Sequence, residues 1–295
     1  MQNAINIYNI LEMRFNYPLY HQYYVPNDTI KPGDDYYDFL SLVNLNDSEF
    51  IELPEYINTV NSYLNYKVKK KLEGDTTLKN IPNSNTTVKL RLANELFSNE
   101  DVKNLMLYKI LHQHIKDNGI YKTENLIADF EKKCTNREYV ANIRKEYDKL
   151  KIFAEGNPAP QFAYPDINGD VVSLNDFKGK YVYVDVWATW CGPCKTELPH
   201  LEKLQEEFKD KNIVFVSISI DDDQEPWKKM IKEKNMKGVQ LFAKGWKSAI
   251  MKDYKINGIP QFILIDREGK IINVQAPRPS GNIKEVLEKL EGIQT

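Results

Sequence analysis

The pattern of apolar residues changes character near the middle of the chain. Between residues 100 and 150, apolar side chains recur every three or four positions, as in Ile143, Tyr147 and Leu150. This spacing is typical of amphipathic α-helices. The first 45 residues are rich in Tyr and Asn, are interrupted by three prolines and show no clear period, so they are predicted to be irregular. The N-terminal half is therefore predicted to be mainly α-helical.

A segment rich in proline and glycine, Glu155–Pro160, separates this region from the rest of the chain. With 295 residues, the chain is longer than a single hydrophobic core usually supports. We therefore predict two domains. Residues 1–154 form a mainly helical N-terminal domain of unknown role, and residues 155–295 form an α/β domain.

Apolar runs after this boundary are short and alternate with turn residues. Phe162–Tyr164 and Val171–Leu174 flank the dipeptide Asn168-Gly169, which favours the positive φ angles of a tight hairpin turn. A β-hairpin is predicted to open the domain. Next, Tyr181–Trp187 is a continuous run of β-branched and aromatic residues around one Asp, which is typical of a strand covered on both faces. It is predicted to be a central strand.

The remaining pattern completes a sheet with helices on both faces. A helix from Cys194 to Phe208 leads to a second buried strand at Ile213–Ile220, which implies a right-handed parallel crossover. Phe262–Asp266 and Ile271–Val274 predict a second hairpin, and a closing helix follows. The predicted fold class is thus α/β, with a mixed central sheet, flanking helices and an N-terminal β-hairpin.

Two cysteines, Cys191 and Cys194, lie where the central strand passes into this helix. A thiolate attacks a disulfide, whereas a free thiol with a pKa of about 8.5 is mostly protonated at neutral pH. Unpaired N–H groups and the positive end of the helix dipole favour the anion at the start of a helix. We therefore predict that Cys191 is the attacking thiol and that Cys194, one helical turn away, resolves the mixed disulfide.

A zinc site is the alternative interpretation of this pair. Tetrahedral zinc needs two further ligands, which usually come from a second closely spaced pair. His112 and His114 are two positions apart on a predicted helix and would point to different faces. The other available side chains are Cys134, His21 and His200. Neither a metal nor a dissolved cofactor is expected.

The residues around the pair resemble a known family. Trp187–Cys194 reads WATWCGPC, which is similar to the thioredoxin active-site motif, and Gly258-Ile259-Pro260 looks like its cis-proline loop. The resemblance covers about 140 residues, from Ala159 to the C-terminus. Three features resemble TlpA/ResA-like envelope oxidoreductases: the opening hairpin, the lead-in Asp176–Lys180, and Glu197-Leu198-Pro199 after the motif.

The resemblance implies roles for individual residues. Asp185 matches the buried carboxylate beneath the pair, where burial would raise its pKa and let it accept a proton from Cys194. Pro260 would hold its preceding peptide bond cis and leave the Ile259 backbone free to pair with a substrate strand. Supporting positions in and after the motif are Trp190, Gly192, Pro193 and Glu197.

One departure concerns the charge next to Asp185. Thioredoxins carry a Lys near this carboxylate on the next strand, but Val216–Ser219 contains none. An attractive charge is therefore missing, and the redox potential need not match that of thioredoxin. The Gly-Pro dipeptide between the cysteines resembles that of reducing thioredoxins and favours a reductase.

Two alternative functions remain. Peroxiredoxin-type thiol peroxidases share this fold but place a Pro and a Thr or Ser where the chain has Val184 and Ala188, so no appreciable peroxidase activity is expected. Alternatively, the N-terminal domain is the working part as a module that binds partners, and the second domain only helps to recruit or fold them.

Composition limits the partners. Forty basic and 42 acidic residues give a net charge of -2, so no strong field attracts nucleic acid or an anionic membrane. No apolar run is long enough to span a bilayer, and no signal sequence is expected in this chain. The family resemblance implies protein disulfides as substrates, an upstream thiol or membrane electron donor, and a location in the periplasm or cell envelope of a bacterium.

Overall fold

The computed structural model describes residues 2–25, 27, 33–42 and 44–294. The chain divides into two compact units. The N-terminal unit contains the residues up to Asp117 together with Lys122–Lys149, and the C-terminal unit contains Asn118–Tyr121 together with the residues from Leu150 onward. No helix in these described ranges is both long and apolar enough to cross a bilayer.

The N-terminal unit is built from α-helices, as predicted from the apolar period. The α-helices among its described residues are α1 (Gln2–Tyr24), α2 (Pro54–Gly74), α3 (Ser84–Leu96), α4 (Glu100–Asn118), α5 (Glu124–Lys133) and α6 (Arg137–Leu150). Short 3-10 segments precede and follow α2. The unit has its own apolar core, to which α2 contributes Val60 and Leu64 and α4 contributes Met106 and Leu107.

The prediction that the first 45 residues are irregular is wrong for residues 2–24, which form α1. This helix buries Tyr8, Leu11 and Phe15 at helical spacing, and the Thr59 hydroxyl of α2 donates a 3.0 Å hydrogen bond to the Tyr8 carbonyl. Its opposite side also carries large apolar residues that are exposed, among them Met13. Because both sides are apolar, the sequence shows no contrast that would reveal the period.

The C-terminal unit contains seven strands and four helices. The strands are β1 (Ala163–Pro165), β2 (Val171–Ser173), β3 (Tyr181–Trp187), β4 (Ile213–Ser219), β5 (Val239–Phe242), β6 (Gln261–Ile265) and β7 (Ile271–Asn273). The helices are α7 (Gly192–Glu207), α8 (Gln224–Lys234), α9 (Ala249–Asp253) and α10 (Ile283–Glu288). Strands β1 and β2 form the predicted opening hairpin.

The other five strands form one mixed sheet in the order β5-β4-β3-β6-β7. Strands β3, β4 and β5 are parallel to one another, whereas β6 is antiparallel to β3 and β7 is antiparallel to β6. Every residue of β3 is buried, as its apolar run predicted. The prediction of a mixed sheet with β3 at its centre is confirmed, and together with the flanking helices it gives a thioredoxin-like fold.

Successive side chains of β3 point to opposite faces of the sheet. Val182, Val184 and Val186 belong to the larger apolar core of the unit. Tyr181 and Tyr183 belong to a second core, together with Leu201 and Leu204 of α7 and Leu287 of α10. By the same alternation, Asp185 points to the face that α7 covers.

The turn of the first hairpin differs from the two-residue form expected for Asn168-Gly169. In this turn, Gly169 alone has a positive φ, at 95°, and its N–H donates to the Asp166 carbonyl. The Asp166 carboxylate accepts hydrogen bonds from the backbone N–H groups of Asn168 and Asp170. The second hairpin repeats this arrangement around Asp266 and Gly269. Each turn is thus a type I turn closed by a glycine.

Candidate active site

The cysteine pair lies at the carboxyl end of β3, where the chain enters α7. Cys191 and Cys194 form a disulfide, with their Cα atoms 5.3 Å apart. Cys191 is the N-cap residue of α7, and Gly192 and Pro193 occupy the first two helical positions. The Cys194 N–H donates to the Cys191 sulfur over 3.1 Å. Proline is favoured in this first turn because its missing N–H would have no intrahelical partner there.

Both cysteine side chains are buried, whereas the tryptophan that precedes them is exposed. Cys191 is 4% exposed and Cys194 is 2% exposed, so both sulfur-bearing side chains lie largely within the surface. The neighbouring Trp190 side chain is 54% exposed. Large aromatic rings contribute much of the apolar contact area when partners bind, so Trp190 offers such a contact beside the buried pair.

Asp185 is buried beneath α7, as expected from the resemblance. It is 4% exposed, and its Oδ1 atom has no hydrogen-bond partner in the described part of the chain. Burial raises its pKa from the ordinary value of 3.8 to about 8, and the nearby charge of Glu197 contributes to the same shift. Asp185 is therefore largely protonated at neutral pH, and it can exchange a proton near that pH.

Glu197 is the second buried carboxylate of this site. It lies three residues after Cys194, so both side chains share one face of α7. Its carboxylate accepts hydrogen bonds from the Ser280 N–H at 2.9 Å and from the Ser280 hydroxyl at 2.8 Å. The Arg278 guanidinium lies 3.9 Å from the same carboxylate at the surface. The segment before α10 therefore holds Glu197 in place.

The residue opposite Asp185 on the next strand is Ser217. It is buried and carries no charge. The charge that acts on Asp185 is thus the like charge of Glu197, rather than the attractive Lys of thioredoxins.

The proline loop flanks the other side of β3. Gln261, the first residue of β6, pairs with Val186, so the residues just before it lie beside the end of β3 where the cysteine loop begins. The Ile259–Pro260 peptide bond is cis, in agreement with the expectation from the motif. Ile259 is half-buried, and its backbone makes no hydrogen bond to any of the residues that the structure describes.

Asp221 is a site residue that the sequence analysis did not single out. Its buried carboxylate accepts hydrogen bonds from the Thr189 N–H, at 3.2 and 3.1 Å to its two oxygens, and from the Thr189 hydroxyl at 2.7 Å. The Ser219 hydroxyl donates a further 2.7 Å bond. Asp221 thus fastens the loop that ends in Cys191. The signal that could have found it is its place after β4, because parallel neighbouring strands end at the same edge of a sheet.

The acidic run Asp221–Asp223 leads from β4 into α8. Asp223 is the N-cap of α8, and its carboxylate accepts from the Glu225 N–H. The helix therefore begins at Gln224.

A second exposed tryptophan lies beside Trp190. The Trp246 ring is 45% exposed, and its centroid lies 6.2 Å from that of Trp190 with the planes tilted by 35°. Trp246 follows β5, which is a strand that the sequence pattern did not predict. The two rings are 56 positions apart in the chain, so only the fold brings them together.

The N-terminal unit contains Cys134, His112 and His114, which were considered as further zinc ligands. Cys134 is a buried free thiol whose pKa is raised by burial. The His112 ring lies 3.1 Å from Glu146, and the His114 ring lies 2.9 Å from the Thr86 hydroxyl. Within the described ranges, no three His, Cys, Asp or Glu side chains are grouped so that they could hold a metal ion.

Comparison with known proteins places the C-terminal unit in a family. Residues 154–290 match the Redoxin family. The chain is 32% identical over 153 residues to the thiol-disulfide oxidoreductase ResA of Bacillus thuringiensis subsp. konkukian, a match that covers 52% of this chain and 85% of ResA. It is also 32% identical over 160 residues to the thioredoxin-like protein YneN of Bacillus subtilis, covering 51% of this chain and 87% of YneN.

A solved structure of similar sequence is the thioredoxin domain of a thiol-disulfide oxidoreductase from Bacteroides vulgatus. It is 39% identical, and the match covers 46% of this chain and 96% of that domain with a TM-score of 0.43. The extent of the match to ResA, together with the Redoxin match, shows the family. The chain therefore belongs to the ResA-like thiol-disulfide oxidoreductases of the thioredoxin superfamily, with an additional helical region before the shared domain.

Proposed function

We propose that Cys191 and Cys194 are the redox pair of this oxidoreductase, and that the protein acts as a reductase of protein disulfides. The observation that carries the proposal is the position of Cys191. Its sulfur caps the N-terminus of α7, with Cys194 in the first turn and a buried carboxylate, Asp185, beneath the helix. A helix N-terminus stabilises a thiolate, which is the form that attacks a disulfide.

The reaction runs in two exchange steps. In the reduced protein, the Cys191 thiolate attacks one sulfur of the substrate disulfide, the substrate S–S bond breaks, and the other substrate sulfur leaves as a thiolate. Cys194 then loses its proton and attacks the Cys191 sulfur of the mixed disulfide. The second substrate sulfur leaves, and the Cys191–Cys194 bond forms. The substrate gains two electrons and the pair loses them.

Asp185 is the base that we assign to the second step, and the minority of molecules in which its carboxyl group is ionised at neutral pH carries out this role. Its pKa of about 8 is close to the ordinary pKa of a thiol, so a proton can pass from Cys194 to the carboxylate with little free-energy cost. Glu197 supports this role because its charge helps to keep the Asp185 pKa high. The Ile259 backbone, which has no partner in the described part of the chain, is available to pair with an extended substrate segment.

The partners follow from this chemistry. The substrates are proteins that contain a disulfide, and an upstream thiol or membrane electron donor returns the pair to its reduced form. We place the protein in the periplasm or envelope of a bacterium, and we divide it into domains at residues 154 and 155. The N-terminal domain would then help to select native partners. Removing residues 1–150 would lower the rate of exchange with native partners more than the rate with small disulfides.

Whether the pair reduces or oxidises its partners is tested by an equilibrium titration against dithiothreitol and glutathione, with tryptophan fluorescence as the readout. A reduction potential near about -270 mV supports a reductase, whereas a value near about -120 mV makes the protein a disulfide donor. Cys134→Ser is the matched control, and it should titrate as the wild type does. If Cys191→Ser and Cys194→Ser leave the transition in place, the pair is not the redox centre.

A further inference from the structure

We propose that Trp246, together with Trp190, forms a surface that binds an apolar side chain of the protein substrate next to the reacting disulfide. This proposal rests on the proposed function of the cysteine pair. We call the two exposed rings the tryptophan pair. It makes Trp246 a specificity-determining residue for substrates that carry an apolar residue beside the cysteine.

Both rings of the tryptophan pair are exposed at the surface. The rings of Trp190 and Trp246 are 54% and 45% exposed, yet their centroids are only 6.2 Å apart. The planes are tilted by 35° rather than stacked face to face, so each ring keeps part of its apolar surface open to solvent. A surface of two adjacent indoles is suited to a large apolar or aromatic side chain, because such contacts gain more than burial alone.

Trp246 lies in a loop whose backbone is held by local contacts. Lys244 and Gly245 both have positive φ angles, 51° and 77°. A Cβ atom on Gly245 would lie 2.7 Å from Asp222 Oδ1, so the Asp222 side chain lies directly against the Gly245 backbone. The Gly245 carbonyl accepts hydrogen bonds from the Ser248 N–H at 3.2 Å and from the Ser248 hydroxyl at 2.8 Å. Trp246 is therefore presented by a tightly folded loop.

The Trp246 loop is connected to the cysteine loop through Asp221 and Asp222. Asp222 contacts the Trp246 loop, and its neighbour Asp221 holds Thr189 of the cysteine loop by three hydrogen-bond contacts. Trp190 directly precedes Cys191. The two loops that carry the tryptophans are thus joined through one acidic segment, which fixes the tryptophan pair relative to the sulfur of Cys191.

The occupant follows from this position. A group that lies on the tryptophan pair while Cys191 attacks must be joined to the substrate sulfur through a short chain. A residue adjacent to the substrate cysteine in an extended protein segment meets this condition, whereas glutathione has no large apolar side chain. The partner is therefore a protein segment with an aromatic or branched aliphatic residue beside its reactive cysteine.

The test uses reduced full-length protein and two synthetic peptides, each with one cysteine in a mixed disulfide with glutathione. The peptides differ only in the residues on both sides of the cysteine, which are Leu in one and Gly in the other. Second-order rate constants are measured by separating the products. The wild type should react about three- to tenfold faster with the Leu peptide, as expected for one good aromatic contact.

In Trp246→Ala this ratio of rates should fall towards one, and in Trp246→Phe it should lie between the two. Val171→Ala removes another exposed apolar side chain of the same unit and should keep the wild-type ratio. Circular dichroism checks folding. If Trp246→Ala is unfolded, Trp246→Phe decides, because a ratio equal to that of the wild type overturns the proposal.

The outcomes separate the two proposals. A wild type that reacts with both peptides at equal rates refutes the tryptophan pair as a binding surface and leaves the redox function intact. A reduced wild type that reacts with neither peptide refutes the redox function itself. A ratio that is unchanged in Trp246→Ala shows that the preference comes from elsewhere, and it also refutes the role of Trp246.

Discussion

Replacing Asp185 by Asn should stabilise the C-terminal unit of the oxidised protein, by an amount that depends on pH. The folded-state pKa of about 8 lies above the ordinary value of 3.8. The folded protein therefore holds a proton that the unfolded chain releases between these two values. The favourable contribution of this carboxyl group is complete below pH 3.8, and it is lost progressively as the pH rises to about 8.

The magnitude follows from the same values. Each pH unit in this window lowers the free energy of unfolding by about 1.36 kcal/mol. From pH 3.8 to pH 7 the loss amounts to about 4 kcal/mol, which Asp185→Asn should not suffer. The Asn amide enters a pocket where Oδ1 already has no partner in the described chain, which adds a cost that does not change with pH. The pH-dependent part is therefore the quantity to measure.

The assay is urea unfolding followed by tryptophan fluorescence. All four tryptophans, at positions 187, 190, 227 and 246, belong to the C-terminal unit, so the signal reports that unit. The advantage of Asp185→Asn over the wild type should grow by several kcal/mol between pH 4 and pH 7, and then level off above about pH 8. An advantage, or a disadvantage, that is the same at every pH would show that Asp185 is ionised normally in the folded protein.

Asp176→Asn is the matched control for this experiment. Asp176 is exposed, and hydrogen bonds from the Ser173 N–H and hydroxyl lower its pKa. Its contribution is therefore present at neutral pH and is lost as the pH falls through the lowered pKa, which is the opposite sign. Asp176→Asn should destabilise the unit at pH 7 and should have less effect in acid.

Two further predictions concern groups outside the proposed proton transfer. Asp221→Ala removes the acceptor of the Thr189 and Ser219 hydrogen bonds, so it should lower the free energy of unfolding by about 2 to 3 kcal/mol, and an unchanged urea midpoint would contradict this role. In the reduced, native protein, iodoacetamide should modify Cys191 but not Cys134, because the N-terminus of α7 favours the Cys191 thiolate whereas burial raises the pKa of Cys134. Peptide mapping that finds Cys134 labelled at the rate of a free thiol would contradict this expectation.

Elements with a strong local pattern could be predicted from the sequence. The central strand was predicted at its observed bounds, Tyr181–Trp187, because a run of β-branched and aromatic residues around the single Asp185 is typical of a strand covered on both faces. Strand β5 was missed because it has only four residues and includes the polar Gln240 at the edge of the sheet. Helix α1 was missed for the opposite reason, since apolar residues occur on both of its sides.

The residues of the site also differ in whether the sequence alone could reveal them. Cys191 and Cys194 are three positions apart, so their closeness is a property of one helical turn and is visible in the sequence. Asp221 acts on Thr189, which is 32 positions away, and Trp246 lies next to Trp190 across 56 positions. Such contacts depend on which strands end at the same edge of the sheet. No local pattern encodes them, although a search among residues that follow the predicted parallel strands would have included Asp221.

The hydrogen bond from the Cys194 N–H to the Cys191 sulfur has a consequence for the energetics of turnover. In the disulfide, this sulfur takes the place of the side-chain oxygen that usually caps a helix. A thiolate at the same position is a stronger acceptor for the same N–H. The first turn of α7 therefore needs no new cap when the S–S bond opens, and the helix can remain folded in both redox states. Opening and closing the S–S bond therefore does not require the start of the helix to be rebuilt in each cycle.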